Sequence, residues 1–260
     1  MTVDVQRLRR DAHERAVARP RREFAGAVDD LTHAGVAMRR YVPAVDAPAA
    51  AVVFLHGGYG LFGDLELQDG YCRRLAERLG VVVLSVDYLL APESTLDDAA
   101  ADALAGLELL VGDGFARVLL CGDSAGGAVA IRAAQRSAVP LAGLLLTNPN
   151  VDLTLASYDA ARPAGPDREL SATSFRAWAR VSDLADAPRL DREVARLPSV
   201  VVVVGTLDSL LPESRALAQA CERAGVACRV VELEGAEHGF VGTDRAEEAL
   251  AAFRELIDRV

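Results

Sequence analysis

Short, almost unbroken apolar runs recur along this chain, and stretches with helical spacing of apolar residues separate them. The runs Ala50–Leu55, Val81–Val86, Arg117–Cys121, Leu141–Thr147, Val200–Val204 and Ala227–Leu233 are of strand length and end in turn-forming residues, so each reads as a strand. Between them, Asp69–Leu79, Thr95–Val111, the segment after Ser124, Pro212–Ala224 and Arg245–Val260 carry helical patterns. Strands that are apolar on both faces, alternating with amphipathic helices, imply a mostly parallel sheet covered on both sides. Upstream, Ala27–Leu31 and Val36–Val42 flank His33-Ala34-Gly35 and read as a hairpin, which brings the expected sheet to eight strands. Pro43–Ala49 is a turn-rich link.

Two segments stand outside this alternation. Val3–Arg22 is helix-compatible, with Val5, Leu8, Ala12 and Ala16 near helical spacing and seven arginines from Arg7 to Arg22 between and after them. Its apolar face is thin for membrane insertion, and it reads as a solvated helix over the domain rather than a membrane or anion surface. Residues 150–197 contain Pro163, Gly165, Pro166 and a helical piece, Ser171–Arg180, with Phe175 and Trp178 on it. Long excursions inside α/β domains are usually functional, so this insertion is expected to form a small cap, the alternative being an ordinary surface helix whose aromatics pack on the core. The expected organisation is one α/β domain over 1–260, with an N-terminal helix in 1–25 and the 150–197 insertion as a reduced cap.

Composition narrows the function. At 260 residues and 51% hydrophobic, the chain can bury one large core. A formal net charge of -10 disfavours a nucleic-acid partner, because phosphate binding requires clustered positive charge. All 28 basic residues are arginine. The absence of lysine removes Schiff-base chemistry, Ser-Lys dyads and a Walker-type phosphate loop. Cys72, Cys121, Cys221 and Cys228 lack zinc-site spacing and read as reduced thiols, and His13 and His33 have no partner spacing; no metal and no cofactor are expected. No run approaches the ~20 apolar residues of a membrane span, and the charged opening lacks a secretory core, so a cytoplasmic location is expected. A homodimer is left open.

The candidate chemistry lies where strands end. Val118–Cys121 runs into Gly122-Asp123-Ser124-Ala125-Gly126, and glycines on both sides of a serine permit a tight strand-to-helix turn that displays its hydroxyl. Val200–Val204 ends near Asp208, and Ala227–Leu233 ends near His238. In open parallel sheets the carboxyl ends of the strands converge, and Ser, Asp, His in that chain order suits a nucleophile, an orienting carboxylate and a base. The amides of Ala125 and of Gly57-Gly58-Tyr59 are the expected oxyanion donors, with His56 as an organiser of that loop. Asp123 is expected to bond local backbone, Glu237 to face solvent, Asp87 to order loops, and Asp97, Asp98 and Asp102 to form a solvated helix start.

In order, His56-Gly57-Gly58, Leu61-Phe62-Gly63-Asp64, Asp87-Tyr88 with Leu90-Ala91-Pro92-Glu93, Gly122-Asp123-Ser124-Ala125-Gly126-Gly127, Asp208 and His238-Gly239-Phe240 resemble the hormone-sensitive-lipase-like, HGGG-type branch of the α/β-hydrolases, which holds many microbial carboxylesterases. The match is collinear from Ala50 to Val260. The resemblance implies Ser124 as nucleophile, Asp208 and His238 as its triad partners, and Gly58, Tyr59 and Ala125 as oxyanion donors. It departs at Tyr59, which stands where the third glycine usually does and also resembles the formamidase relatives. The short N-terminus implies a reduced cap and an open site. The expected function is a serine hydrolase cleaving a short-acyl or specialised-metabolite ester through an acyl-enzyme. Formamide or amide cleavage, a thioesterase, another metabolite-tailoring reaction on the same triad, and a non-catalytic receptor are the alternatives.

Overall fold

The computed structural model describes residues 3–48 and 50–259, so Ala49 and Val260, where the turn-rich link and the last helix were expected to end, lie outside it. Eight strands form one sheet: β1 (Ala27–His33), β2 (Val36–Val42), β3 (Ala51–Leu55), β4 (Val82–Val86), β5 (Val118–Asp123), β6 (Gly143–Thr147), β7 (Val200–Gly205) and β8 (Cys228–Leu233). Their spatial order is β1-β2-β4-β3-β5-β6-β7-β8. The hairpin β1–β2 joins β4 antiparallel, and every pairing from β4 to β8 is parallel.

The described residues form seven α-helices: α1 (Val5–Val17), α2 (Asp69–Leu79), α3 (Leu96–Gly112), α4 (Ala125–Arg136), α5 (Arg168–Ala179), α6 (Leu211–Ala224) and α7 (Ala246–Ile257). The core divides in two by strand alternation. Val53 and Leu55 of β3 face a cluster containing Ala103, Leu107, Val129 and Leu217, whereas Val52 and Phe54 face one containing Leu75, Leu250 and Phe253. Helices α3, α4 and α6 therefore lie on one face and α2 and α7 on the other, which explains why the central strands carry apolar residues on both sides. β8 is the exception: as the edge strand it is only partly buried, so its polar Arg229 and Glu232 are tolerated.

Helix ends follow local chemistry. Thr95 caps α3 in a reciprocal box with Asp98, and α2 ends at Gly80 in the left-handed conformation, φ 62°. The acidic start of α3 is not simply solvated, since Asp97 pairs with Arg132 and Arg136, and Asp102 accepts the amide of Leu89. Among the described residues, no helix is long and apolar enough to cross a membrane.

The strand order positions the chemistry. From β3 the chain moves outward to β4, then returns to place β5 on β3's other side. The loops leaving β3 and β5 consequently diverge, opening a crevice at the carboxyl edge where ligands of such sheets bind. Tyr59 and Ser124 belong to those two loops.

Candidate active site

Ser124 sits between β5 and α4 with φ 54° and ψ -116°, a conformation that costs a non-glycine residue about 1–3 kcal/mol. Three backbone bonds hold it: its amide donates to Thr147, and its carbonyl accepts from Gly127 and Asn150. The flanking glycines are steric necessities. A Cβ on Gly122 would lie 2.2 Å from the Gly126 carbonyl oxygen, and one on Gly126 would lie 2.0 Å from that of Leu55. Their absence lets α4 press against both β3 and β5, aiming its amino end at the serine.

The ends of β7 and β8 deliver the other two groups. His238 Nε2 lies 2.9 Å from Ser124 Oγ, and its Nδ1 lies 2.7 Å from Asp208 Oδ2. Asp208 is fully buried, and its other oxygen accepts the amide of Leu210 at 2.9 Å. Burial works against a charged His238, but the hydrogen bond and charge of Asp208, with the charge of Asp123, outweigh it and raise the imidazole above its ordinary 6.5.

Opposite, the loop after β3 turns through Gly58, Tyr59 and Gly60, all at positive φ. Among the described residues nothing accepts from the amides of Gly58, Tyr59 or Ala125. Gly57 leaves the expected donor set, because its amide is already committed to Gln68 Oε1 at 2.8 Å. His56 is buried, stacks on Tyr88 with centroids 4.4 Å apart, and its Nδ1 lies 2.6 Å from the Gly57 carbonyl oxygen; it shapes the loop from beneath. Burial lowers its pKa, so it stays neutral.

The family profile described as alpha/beta hydrolase fold matches residues 52–242, which span the loop after β3, Ser124, Asp208 and His238. The chain belongs to the α/β-hydrolase family. It is 32% identical to the esterase LipI of Mycobacterium tuberculosis over 81% of this chain and 74% of that one. It is 29% identical to the ethyl acetate hydrolase of Pseudomonas putida, over 85% and 78% of the two chains. An esterase/lipase structure from an uncultured bacterium shares the fold with a TM-score of 0.89 at 20% identity, covering all of this chain and 92% of that one. Within the family this chain is a carboxylesterase-like hydrolase of the hormone-sensitive-lipase-like branch.

In this hydrolase Asp123 bonds side chains rather than the local backbone expected of it: Oδ1 accepts from Thr147 Oγ1 at 2.6 Å and Oδ2 from Gln68 Nε2 at 2.9 Å. Burial raises its pKa, opposed by the charge of His238 and by these donors. Gln68 thereby ties the neighbour of Ser124 to Gly57 across the crevice. No sequence pattern marks this glutamine; it precedes α2 like any polar residue. Gln68→Leu is expected to lower kcat about 10- to 100-fold, a larger change than in KM, since it loosens the loop carrying the free amides. Steady-state kinetics on a p-nitrophenyl ester reads that split.

The Tyr59 hydroxyl accepts the amide of Asp167 at 2.8 Å, its carbonyl accepts from Ser174, and Trp178 packs against Gly60. The insertion's helix α5 thus clamps the loop. Its aromatic face points inward, with Phe175 and Trp178 buried in the core. A cleft of about 470 Å³ opens over Ser124 and His238, lined by Ala16–Val17 and Arg19–Arg22, and no described residue of 150–197 lines it. The N-terminal segment, not the insertion, walls the site.

Proposed function

We propose that Ser124, His238 and Asp208 are the catalytic triad of a carboxylic-ester hydrolase acting on a small ester through an acyl-enzyme. The observation that carries this reading is the continuous chain from Asp208 through His238 to Ser124 Oγ, at 2.7 and 2.9 Å, facing three amides without acceptors. The esterase and ethyl acetate hydrolase named among the relatives support the ester as the bond cleaved.

Ser124 Oγ attacks the ester carbonyl as its proton passes to His238 Nε2. Asp208, accepting from Nδ1–H, stabilises the imidazolium that forms. The carbonyl oxygen becomes an oxyanion held by the amides of Gly58, Tyr59 and Ala125, each worth roughly 3–4 kcal/mol in such sites. Collapse breaks the ester C–O bond, and His238 returns its proton to the departing alcohol. Water, deprotonated by the same imidazole, then attacks the acyl-enzyme; the acid leaves and Ser124 regains its proton. Residues 1–25 act in this reading as the reduced cap of a single domain, and α5 in 150–197 as the brace of the oxyanion loop.

The test compares p-nitrophenyl butyrate, butyryl-4-nitroanilide, N-formylkynurenine and S-butyryl thiocholine at one enzyme concentration. The ester is expected to show the highest kcat/KM. A formamide or thioester preferred over it would move the reaction to that class, and turnover of none would leave the receptor reading.

A further inference from the structure

Charges lining the cleft are unequally satisfied. Its carboxylates are all occupied: Glu66 pairs with Arg21 and Arg39, Asp69 takes Arg39, Arg73 and the Tyr41 hydroxyl, and Asp123 takes Thr147 and Gln68. Of its arginines, Arg22 reaches Glu77, and Arg74 donates to the Thr243 carbonyl. Arg19 differs. Among the described residues its guanidinium has neither a carboxylate nor a hydrogen-bond acceptor, although it lines the same cleft as Ser124. Two further polar atoms of the lining are buried without partners, the Tyr71 hydroxyl, in a side chain only 5% exposed overall, and Arg22 Nε.

Arg19 is exposed and lines the cleft, whereas the Tyr71 hydroxyl, which can donate or accept, and Arg22 Nε are covered by protein. An unpaired guanidinium in the wall of a cleft selects oxygen that carries charge.

We propose that the cleft takes esters whose non-reacting end carries a carboxylate, and that Arg19 is the specificity-determining residue that pairs with it. The proposal rests on the triad reading above and adds the substrate class. Val17, Phe62 and Leu67 supply apolar lining for the carbon chain between the two functional groups. Arg19 stands on the segment following α1, so substrate choice resides in the arginine-rich stretch that otherwise reads as a solvated surface.

The experiment uses two matched pairs at pH 8. Monomethyl adipate against dimethyl adipate places the carboxylate on the acyl side; 4-acetoxybenzoate against its methyl ester places it on the alcohol side. In at least one pair, Arg19→Ala is expected to lower the anionic-to-neutral ratio of kcat/KM about tenfold through KM, the scale of one charge-assisted bond, and Arg19→Lys to restore part of it. Arg10→Ala, on α1 outside the cleft, is the charge control and leaves the ratio unchanged. Should Arg19→Ala fail to fold, wild-type enzyme decides: raising NaCl from about 0.02 to 0.5 M is expected to lower that ratio several-fold by screening. A ratio indifferent to Arg19→Ala in both pairs, or to salt, while neutral esters are cleaved, overturns the anionic class and leaves the triad standing. Wild-type protein that cleaves no ester and takes no fluorophosphonate overturns both.

Discussion

Ser124→Ala is expected to lower kcat on p-nitrophenyl butyrate by roughly four to six orders of magnitude, leaving at most the slow catalysis that binding and the oxyanion amides provide on their own. In the triad reading the hydroxyl is the only group of that residue that reacts. The backbone around it is fixed by the Thr147, Gly127 and Asn150 bonds, none of which involves the side chain. Alanine meets the same φ of 54° that serine already tolerates, so the variant is expected to stay folded, with a Tm close to wild type. Substrate affinity is expected to persist, because the cleft walls are untouched. Loss of kcat together with loss of fold would mean that Ser124 is needed for structure rather than chemistry; retained kcat would remove it from the reaction.

Asp208→Asn is expected to cost about four orders of magnitude in kcat and also to move the pH profile. Aspartate accepts at both oxygens, from His238 Nδ1 and from the amide of Leu210. Asparagine keeps one acceptor for Leu210 and turns its NH2 towards His238. Nδ1 must then accept, which puts the ring proton on Nε2, where it blocks transfer from Ser124. The neutral imidazole is the active form, so wild-type kcat/KM rises with pH through a pKa held above 6.5 by Asp208. Without the carboxylate, burial dominates and lowers that pKa, so the residual activity of the variant has its acid limb at lower pH. An acid limb that does not move would show that His238 does not govern it.

The fold and the proposed triad were legible for one physical reason: buried parallel strands read as continuous apolar runs, and this fold hangs its chemistry on their carboxyl ends. Ser124, Asp208 and His238 could be found among the few residues just past each run, and the structure brings all three within hydrogen-bond distance. Gly57 could not be separated from Gly58 and Tyr59 in that way, because its amide is claimed by Gln68, a residue eleven positions on with no pattern of its own. Likewise Phe175 and Trp178 suited either a cap or a surface helix packed on the core, because helical spacing alone does not say which way a face points. In the structure both are buried in the core, and Trp178 packs against Gly60. The basic stretch at Arg19–Arg22 read as solvent-facing because charge runs generally are, and only its tertiary placement against the mouth of the cleft gives it a wall to form.

The central claim is that Ser124 is a nucleophile activated by His238. It is tested most directly by treating the folded protein with a fluorophosphonate, digesting it and locating the adduct by mass spectrometry. A single phosphonyl group on Ser124, absent in Ser124→Ala and formed far more slowly in His238→Ala, is the predicted result. An adduct on another residue, or a folded wild-type protein that acquires none, would contradict the account.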